Sequence, residues 1–303
     1  MIYTITLNPS LDYIMEVNSL KIASTNRSNV EMIRLGGKGL NVSAVLNRLG
    51  YESCALGMVA GFVGDEIQRL AEEEGIRTQF IHLEEGCSRI NVKLKGINET
   101  EINGAGPMIS SDAIKVLFDE LTMFQKGDVL ILSGSIPSSL PANLYETILN
   151  VLKSKQVMSV VDASGELLLN TLKYHPFLIK PNLDELSSLV QQRLHNKEEI
   201  IEAMRQLKQQ GAVNVLVSRG RDGAILMNEQ GEIFDCRALS GDVIDSVGAG
   251  DSMVAAYVAG YLKTGNELSA LNLAVAAGCA CAFSDGLPEI EDIRACYEKL
   301  LDR

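Results

Sequence analysis

The chain has 303 residues, 46% of them hydrophobic and 22% charged, and 27 Lys and Arg against 39 Asp and Glu give a formal charge of −12. This composition predicts a packed globular core and excludes a disordered chain. The acidic balance argues against a protein that wraps nucleic acid or lies on an anionic membrane, but it leaves room for a local cationic pocket.

Ile2–Leu7 is a short apolar run that reads as a strand, not as a signal peptide, because no charged segment precedes it. No stretch is long and apolar enough to span a bilayer, so the cytoplasm is the expected compartment. Val30–Leu35 alternates apolar and polar residues, the pattern of a strand with one wet face. Gly39–Leu49 follows with helical spacing at Leu40, Val42, Val45, Leu46 and Leu49, and Gly50 ends it. Ser53–Val59 is strand-like and Asp65–Glu74 helical. Ser88–Lys95 alternates again, with Glu99–Asn103 after it. Asp128–Ser133, Val157–Asp162 and Val213–Ser218 are buried-looking strands, each followed by a turn and a helix. This rhythm predicts an α/β fold with a central, mostly parallel sheet covered on both faces. The alternating segments do not belong in such a sheet. They read either as a small separate sheet, a lid, or as ordinary edge hairpins. The six cysteines form no CxxC pair, and with three His they read as buried, reduced thiols.

The strongest local signal is Asp245-Ser-Val-Gly-Ala-Gly-Asp251, a glycine-rich turn that opens into a long apolar helix. Free N–H groups and the helix dipole make such a start an anion hole. Asp251 beside it has two readings. It is either a base that takes a hydroxyl proton during phosphoryl transfer, or an exposed acid that merely favours a helix start. A second cluster, Gly36 to Asn41, places Lys38 between Gly37 and Gly39. It reads as a phosphate or sugar contact or as a plain turn with a cap. It is not a Walker A loop, since Met32 stands where the first Gly belongs and no Ser or Thr follows Lys38. Further polar turns end strands at Asn8–Asp12, Ser133–Pro137, Lys180–Glu185 and Ser218–Gly223, where α/β sheets bind ligands.

Taken together these runs resemble the ribokinase-like, or PfkB, carbohydrate kinases along essentially the whole chain. GGKGLNVS at 36–43 and DSVGAGDSM at 245–253 are similar to the two family signatures, with Ser246 where Thr is common. KPNLDE at 180–185 carries an N-x-x-E element, and SRGRDGA at 218–224 an S-x-G-x-x-G nucleotide segment. TLNPSLDY at 6–13, VAGFVGDEI at 59–67, SRINVKLK at 88–95, TEINGAGP at 100–107 and LSGSIP at 132–137 resemble the branch acting on fructose 1-phosphate. Ser88 and Ala105 depart from that branch without loss of a charged group.

The resemblance implies a ribokinase-like fold, residues 1–303 forming one kinase domain with a β-lid from about 10–35 and 87–105. It implies ATP-dependent phosphorylation of D-fructose 1-phosphate at the C6 hydroxyl. A tagatose-6-phosphate kinase or broad hexose-phosphate kinase is the nearest alternative, and a silent sugar-phosphate sensor a remote one. Asp12, Gly37, Lys38 and Asn41 would hold the sugar hydroxyls and the substrate phosphate. Arg27 and Arg89 would add charge to that phosphate, and Asn103 would touch the sugar from the lid. Lys180, Asn182, Ser218, Gly220 and Gly223 would line the ATP site, and Glu185 would help order Mg²⁺ through water. Gly248, Ala249 and Gly250 would be the anion hole and Asp251 the base. The implied partners are sugar phosphate and ATP. Apart from the resemblance, the exposed face of the alternating strands could pair with a second subunit, a homodimer through the lid that would also protect sheet edges.

Overall fold

The computed structural model describes residues 1–96 and 100–303. β1 (Ile2–Thr6) leads through a bend into β2 (Ser10–Glu16), and β3 (Val30–Gly36) returns beside β2 and runs straight into α1 (Lys38–Arg48). β4 (Ser53–Ala60), α2 (Gly61–Glu73), β5 (Arg77–Leu83), β6 (Arg89–Lys95) and β7 (Thr100–Ile102) follow. Next come α3 (Ser111–Thr122), β8 (Val129–Ser133), α4 (Leu144–Leu152), β9 (Met158–Asp162) and α5 (Gly165–Leu169). Then come β10 (Leu178–Ile179), α6 (Leu183–Leu189), α7 (Lys197–Gln209), β11 (Asn214–Ser218), β12 (Ala224–Met227) and β13 (Ile233–Cys236). Three helices close the chain: α8 (Ala249–Thr264), α9 (Glu267–Ala282) and α10 (Ile290–Leu301).

The larger sheet runs β13-β12-β11-β10-β9-β8-β1-β4-β5. Its pairings are parallel from β11 to β5, and β12 and β13 add an antiparallel edge. The chain winds outward from β1 in one direction through β4 and β5, and in the other through β8 to β11. Such a reversal opens a crevice at the carboxyl ends of the strands. Leu117, Leu121, Tyr145 and Leu207 bury one face of the sheet under α3, α4 and α7, while Val45, Val254, Tyr257, Val275 and Ile293 bury the other under α1 and α8 to α10. Each such side chain contributes about 1.5–3 kcal/mol of burial. Among the described residues no helix is long and apolar enough to cross a membrane.

The alternating segments do form a second sheet, in the order β3-β2-β6-β7. Glu99, with which the last expected strand begins, lies outside the described residues. The alternation did not say which face would be polar, and in the structure it is the inner one. Its outer face exposes Ile33, Ile90 and Ile102, at 53%, 42% and 60%. Its inner face carries Arg34, Arg89, Asn91 and Lys93 toward clefts shared with the larger sheet. Charge faces inward here because the space it meets is polar.

Four further expectations are corrected. The strand ending at Ser218 is followed not by a helix but by a short 3-10 turn at Gly220–Asp222 and the antiparallel β12, because Gly223 at φ 85° turns the chain back beside β11. Ser10–Asp12 is not turn but the start of β2, because Asn91 donates to both Ser10 and Asp12 across the sheet and so satisfies their oxygens there. α2 starts at Gly61, four residues before Asp65, since Gly61 takes a positive φ of 58° and turns the chain sharply out of β4. Cys87 is exposed in the connection between β5 and β6, whereas the other five thiols are buried; all six are free.

Candidate active site

The carboxyl ends of β1, β8, β9, β10 and β11 deliver Asn8, Ser133, Asp162, Lys180 and Ser218 to one edge of the larger sheet. From the other side, α1 and α8 point their N-termini at the same edge. Gly248 caps α8 at φ 85°, a left-handed turn that a glycine adopts without strain, and offers no side-chain cap. Among the described residues no acceptor meets the N–H of Gly250 or Asp251, so these donors are available to an anion.

Four charged side chains converge there. Asp162, 2% exposed, takes Lys38 Nζ on Oδ2 at 3.1 Å and Lys180 Nζ on Oδ1 at 3.3 Å. Lys180 is itself buried and flanks Gly250, where a Cβ would lie 3.1 Å from its Nζ. Asp251 lies in the first turn of α8, and Asn41 Nδ2 donates to its Oδ2 at 2.8 Å. At 5% exposure Asp251 is buried, so it is not the exposed helix-start acid of the plainer reading.

The two acids are driven apart in pKa. Burial, reinforced by the negative charge of Asp162, pushes Asp251 up to about 6 against the opposing pull of Lys38, Asn41 and Lys180. Burial also acts on Asp162, but Lys180 and Lys38 outweigh it and hold that carboxyl below its usual range. Burial disfavours the Lys38 ammonium, yet Asp162 and Asp251 together hold its pKa above the ordinary value. One carboxylate is thus a fixed counter-charge, and the other is poised to exchange a proton near neutrality.

A cleft of about 390 Å³ spans this edge, lined among others by Asn8, Gly37, Lys38, Arg89, Ser133 and Asp162. Arg89 reaches in from β6 and donates through Nε to the Asn8 carbonyl at 3.0 Å. Asp12 lines a neighbouring cavity of about 420 Å³ together with Asn41. Lys93 Nζ holds Asp12 Oδ2 at 2.8 Å, while Ser10 and Asn91 donate to Oδ1. Of the residues named from the sequence, Gly37, Lys38, Arg89, Glu185 and the Gly248–Asp251 turn therefore gather at one edge, with Asp12 and Asn41 adjoining. Arg27 and Asn103 are exposed and line neither cleft.

At the β10–β11 end of this edge, Ser218 is bridged to Asn182, and the turn after it closes with Arg219 N–H donating to Gly223 O at 2.8 Å. Asn182 and Glu185 form a capping box on α6. Asn182 Oδ1 accepts the Glu185 N–H, and Glu185 Oε2 accepts the Asn182 N–H, both at 2.8 Å. The N-x-x-E element thus has a local structural use, and Glu185 also lines the 390 Å³ cleft with Asp162. Among the described residues no three acidic, His or Cys groups cluster as a metal cage. Two carboxylates on one cleft suit a hard cation that takes most of its ligands from water and phosphate. Asp162 and Lys93 went unnamed in the sequence reading. The first was visible only as the end of an apolar strand, the second as one step of an alternating run.

The comparisons with known proteins agree with this geometry. A family model for the pfkB family carbohydrate kinases matches residues 6–292. The chain is 43% identical over 287 residues to a 1-phosphofructokinase of Bacillus subtilis (strain 168), covering 95% of this chain and 94% of that one. It is 36% identical to a D-tagatose-1-phosphate kinase of Bacillus licheniformis, covering 97% and 96%. Phosphofructokinase-2 from Escherichia coli, solved with substrates and products, superposes with a TM-score of 0.93 at 26% identity, covering 99% of each chain. The match spans the fold, both glycine-rich turns and the acid at the head of α8, and the chain belongs to the pfkB family of carbohydrate kinases.

Proposed function

We propose that the chain transfers the γ-phosphoryl group of ATP to the C6 hydroxyl of D-fructose 1-phosphate, giving fructose 1,6-bisphosphate and ADP. The observation that carries this reading is the buried Asp251, held by Asn41 at the mouth of an open helix N-terminus and flanked by Lys38 and Lys180.

In this reading Asp251 accepts the C6 proton as the oxygen attacks phosphorus in line. The free N–H groups of Gly250 and Asp251 receive the transferring oxygens, joined by those of Gly248 and Ala249 once Ala249 N–H leaves the Ser246 carbonyl it meets at 3.2 Å, and Lys38 and Lys180 offset their charge. Asp162 holds both ammoniums in place until phosphate competes for them. Arg89, from the smaller sheet, pairs with the C1 phosphate, and Asp12 and Asn41 take sugar hydroxyls. Lys180, Asn182, Ser218, Gly220 and Gly223 border the nucleotide. Mg²⁺, held by Glu185 through water and by Asp162, would supply charge neutralisation at the β- and γ-phosphates. Arg27 and Asn103 join the site only if the smaller sheet or a second subunit moves them toward it.

The smaller sheet is then a lid that excludes water from the transfer, and the whole chain is one kinase unit. Its exposed Ile33, Ile90 and Ile102 form an apolar face that a second copy of the chain would cover. A second reading places D-tagatose 1-phosphate as acceptor, favoured by the relative of that name. It puts the substrate phosphate on C1, not on C6 as the earlier tagatose alternative had it. Steady-state kinetics with fructose 1-phosphate, tagatose 1-phosphate, tagatose 6-phosphate, fructose 6-phosphate and fructose decides between them. The proposal requires fructose 1-phosphate to have the highest kcat/KM. A higher value for any other acceptor overturns it.

A further inference from the structure

The inner face of the smaller sheet carries cations at three of the four inward positions of β6, Arg89, Lys93 and Lys95, Asn91 being the fourth position, and one more cation, Arg34, on β3. Alternation places them all on one side. Their counter-charges differ in kind. Lys93 pairs with Asp12 inside its own sheet. Lys95 and Arg34 instead cross to the body of the molecule. Lys95 Nζ meets Asp245 Oδ2 at 2.9 Å, and Arg34 Nη2 meets Asp285 Oδ1 at 2.8 Å.

Both crossings land on one structural unit. Asp245 begins the turn that becomes the anion hole, and its second oxygen, Oδ1, accepts the Val247 N–H at 2.9 Å. The same turn hangs on the end of α9, because Ile244 N–H donates to Ala282 O at 2.8 Å. The Cys281 thiol lies 3.4 Å from Val247 O and 3.6 Å from Gly286 O, bridging the turn to the Asp285–Gly286 loop. One carboxylate therefore touches the smaller sheet with one oxygen and fixes the backbone leading to Gly248 with the other. The Lys95–Asp245 pair is mostly shielded, at 29% and 12% exposure, so solvent and salt screen it less than a surface pair.

We infer that Lys95 and Asp245 are a positioning pair through which closure of the lid assembles the anion hole. This rests on the kinase reading above, since it assigns the turn a phosphate to hold. With the lid raised, Asp245 loses its cation and the 245–248 turn loses its one anchor to the smaller sheet, keeping those to α9. With the lid shut, the carboxylate is fixed at both oxygens, and the free N–H groups of Gly250 and Asp251 are aimed before transfer. The site that stabilises the transferring group would then be complete only when water is shut out.

The test is a double-mutant cycle on the full chain with Lys95→Met and Asp245→Asn, read by kcat/KM for the sugar phosphate and by amide hydrogen exchange. Each single substitution should lower kcat/KM about tenfold, within the usual range of coupling between sites. The double variant should be no slower than the slower single one, and Lys95→Arg should recover most of the loss. Exchange at residues 245–250 should quicken in Lys95→Met, although Lys95 lies in the smaller sheet and these residues do not. Losses that simply multiply in the double variant overturn the pairing. Wild-type rates with only a lowered Tm reduce it to a packing contact. The exchange readout needs no turnover, so a chain that failed to phosphorylate fructose 1-phosphate would refute the proposed function while leaving the latch still open to test. Unchanged exchange at 245–250 in Lys95→Met refutes the latch itself.

Discussion

Asn41 and Asp251 stand 210 residues apart in the chain and meet at 2.8 Å, the amide of one donating to the carboxylate of the other. Asn41 lies in the first turn of α1 and Asp251 in the first turn of α8, so the bond ties together the N-termini of two helices that pack on the same face of the larger sheet. It uses one oxygen of the carboxylate. The other remains for a proton.

That leaves Asp251 as the group whose removal should stop the chemistry. Asp251→Asn preserves size and a hydrogen bond to Asn41 but cannot accept the C6 proton. General-base help is worth about 10²–10⁴-fold, so kcat should fall within that range while KM for both substrates stays within a few-fold. Near wild-type kcat in a folded variant that still binds both substrates would remove Asp251 from the mechanism.

The pH profile follows from the same residue. A base must be ionised, and Asp251 has its pKa pushed up to about 6 by burial and by Asp162. The acid limb of kcat/KM should therefore bend near that value and fall tenfold for each further pH unit. Asp162→Asn removes the neighbouring negative charge, which should move the bend to lower pH while slowing turnover through the loosened lysines. An acid limb that stays where it was in Asp162→Asn would show that the two carboxylates do not sense each other.

How much of this was legible beforehand depends on how local each signal was. The glycine turn, Lys38 and Asp251 lie in short runs of unusual residue types, and the parallel sheet announces itself through apolar strands between helices. Asp162 gives no such signal. Its importance comes from Lys38, 124 residues earlier, and from Lys180, both brought to it only by strand order. Asn182 and Glu185 could have been read as a capping box from spacing alone, since Asn followed three residues later by Glu is a helix-start pattern. The inside-out polarity of the smaller sheet was not legible. Alternation reveals that a strand has two faces, but which of them meets solvent depends on what lies opposite.

Arg89 should govern the sugar phosphate and not the nucleotide. It comes from the smaller sheet, lines the 390 Å³ cleft, and among the described residues meets no carboxylate within ion-pair distance, its Nε resting on a carbonyl. A charge-assisted contact to phosphate is worth about 1.5–3 kcal/mol, so Arg89→Ala should raise KM for fructose 1-phosphate by about 10–100-fold and leave KM for ATP nearly unchanged. Equal rises in both constants, or faster turnover of unphosphorylated fructose, would contradict the assignment.

The outer face of the smaller sheet should be where two copies meet. Ile33 on β3, Ile90 on β6 and Ile102 on β7 expose apolar side chains across three of the four strands. Ile90→Glu together with Ile102→Glu buries two charges in any such contact. In light scattering after size exclusion the double variant should shift from dimer toward monomer, with the far-ultraviolet circular dichroism unchanged. A wild-type chain that is monomeric at micromolar concentration, or a variant that stays dimeric, would show that the face serves something else.

Thermal stability separates the catalytic and structural roles of Asp251 by sign. Its pKa in the fold is about 6 against an ordinary 3.8, so between those values the folded chain holds a proton that the unfolded chain releases. The stability linked to this proton is complete below about pH 4 and is lost as pH rises through about 6. Above that point the fold carries a buried, ionised carboxylate whose desolvation is only partly offset by Lys38, Asn41 and Lys180. Asn carries no such charge. Asp251→Asn should therefore melt close to wild type at pH 4 and higher than wild type at pH 8. An exposed helix-start acid makes the opposite forecast. Its loss would remove about 0.3–1 kcal/mol of dipole stabilisation and lower the Tm at pH 8. Calorimetry of the two proteins at both pH values measures the difference directly. A variant less stable than wild type at pH 8 would mean that Asp251 holds the helix, and its burial would need another explanation than poise for proton transfer.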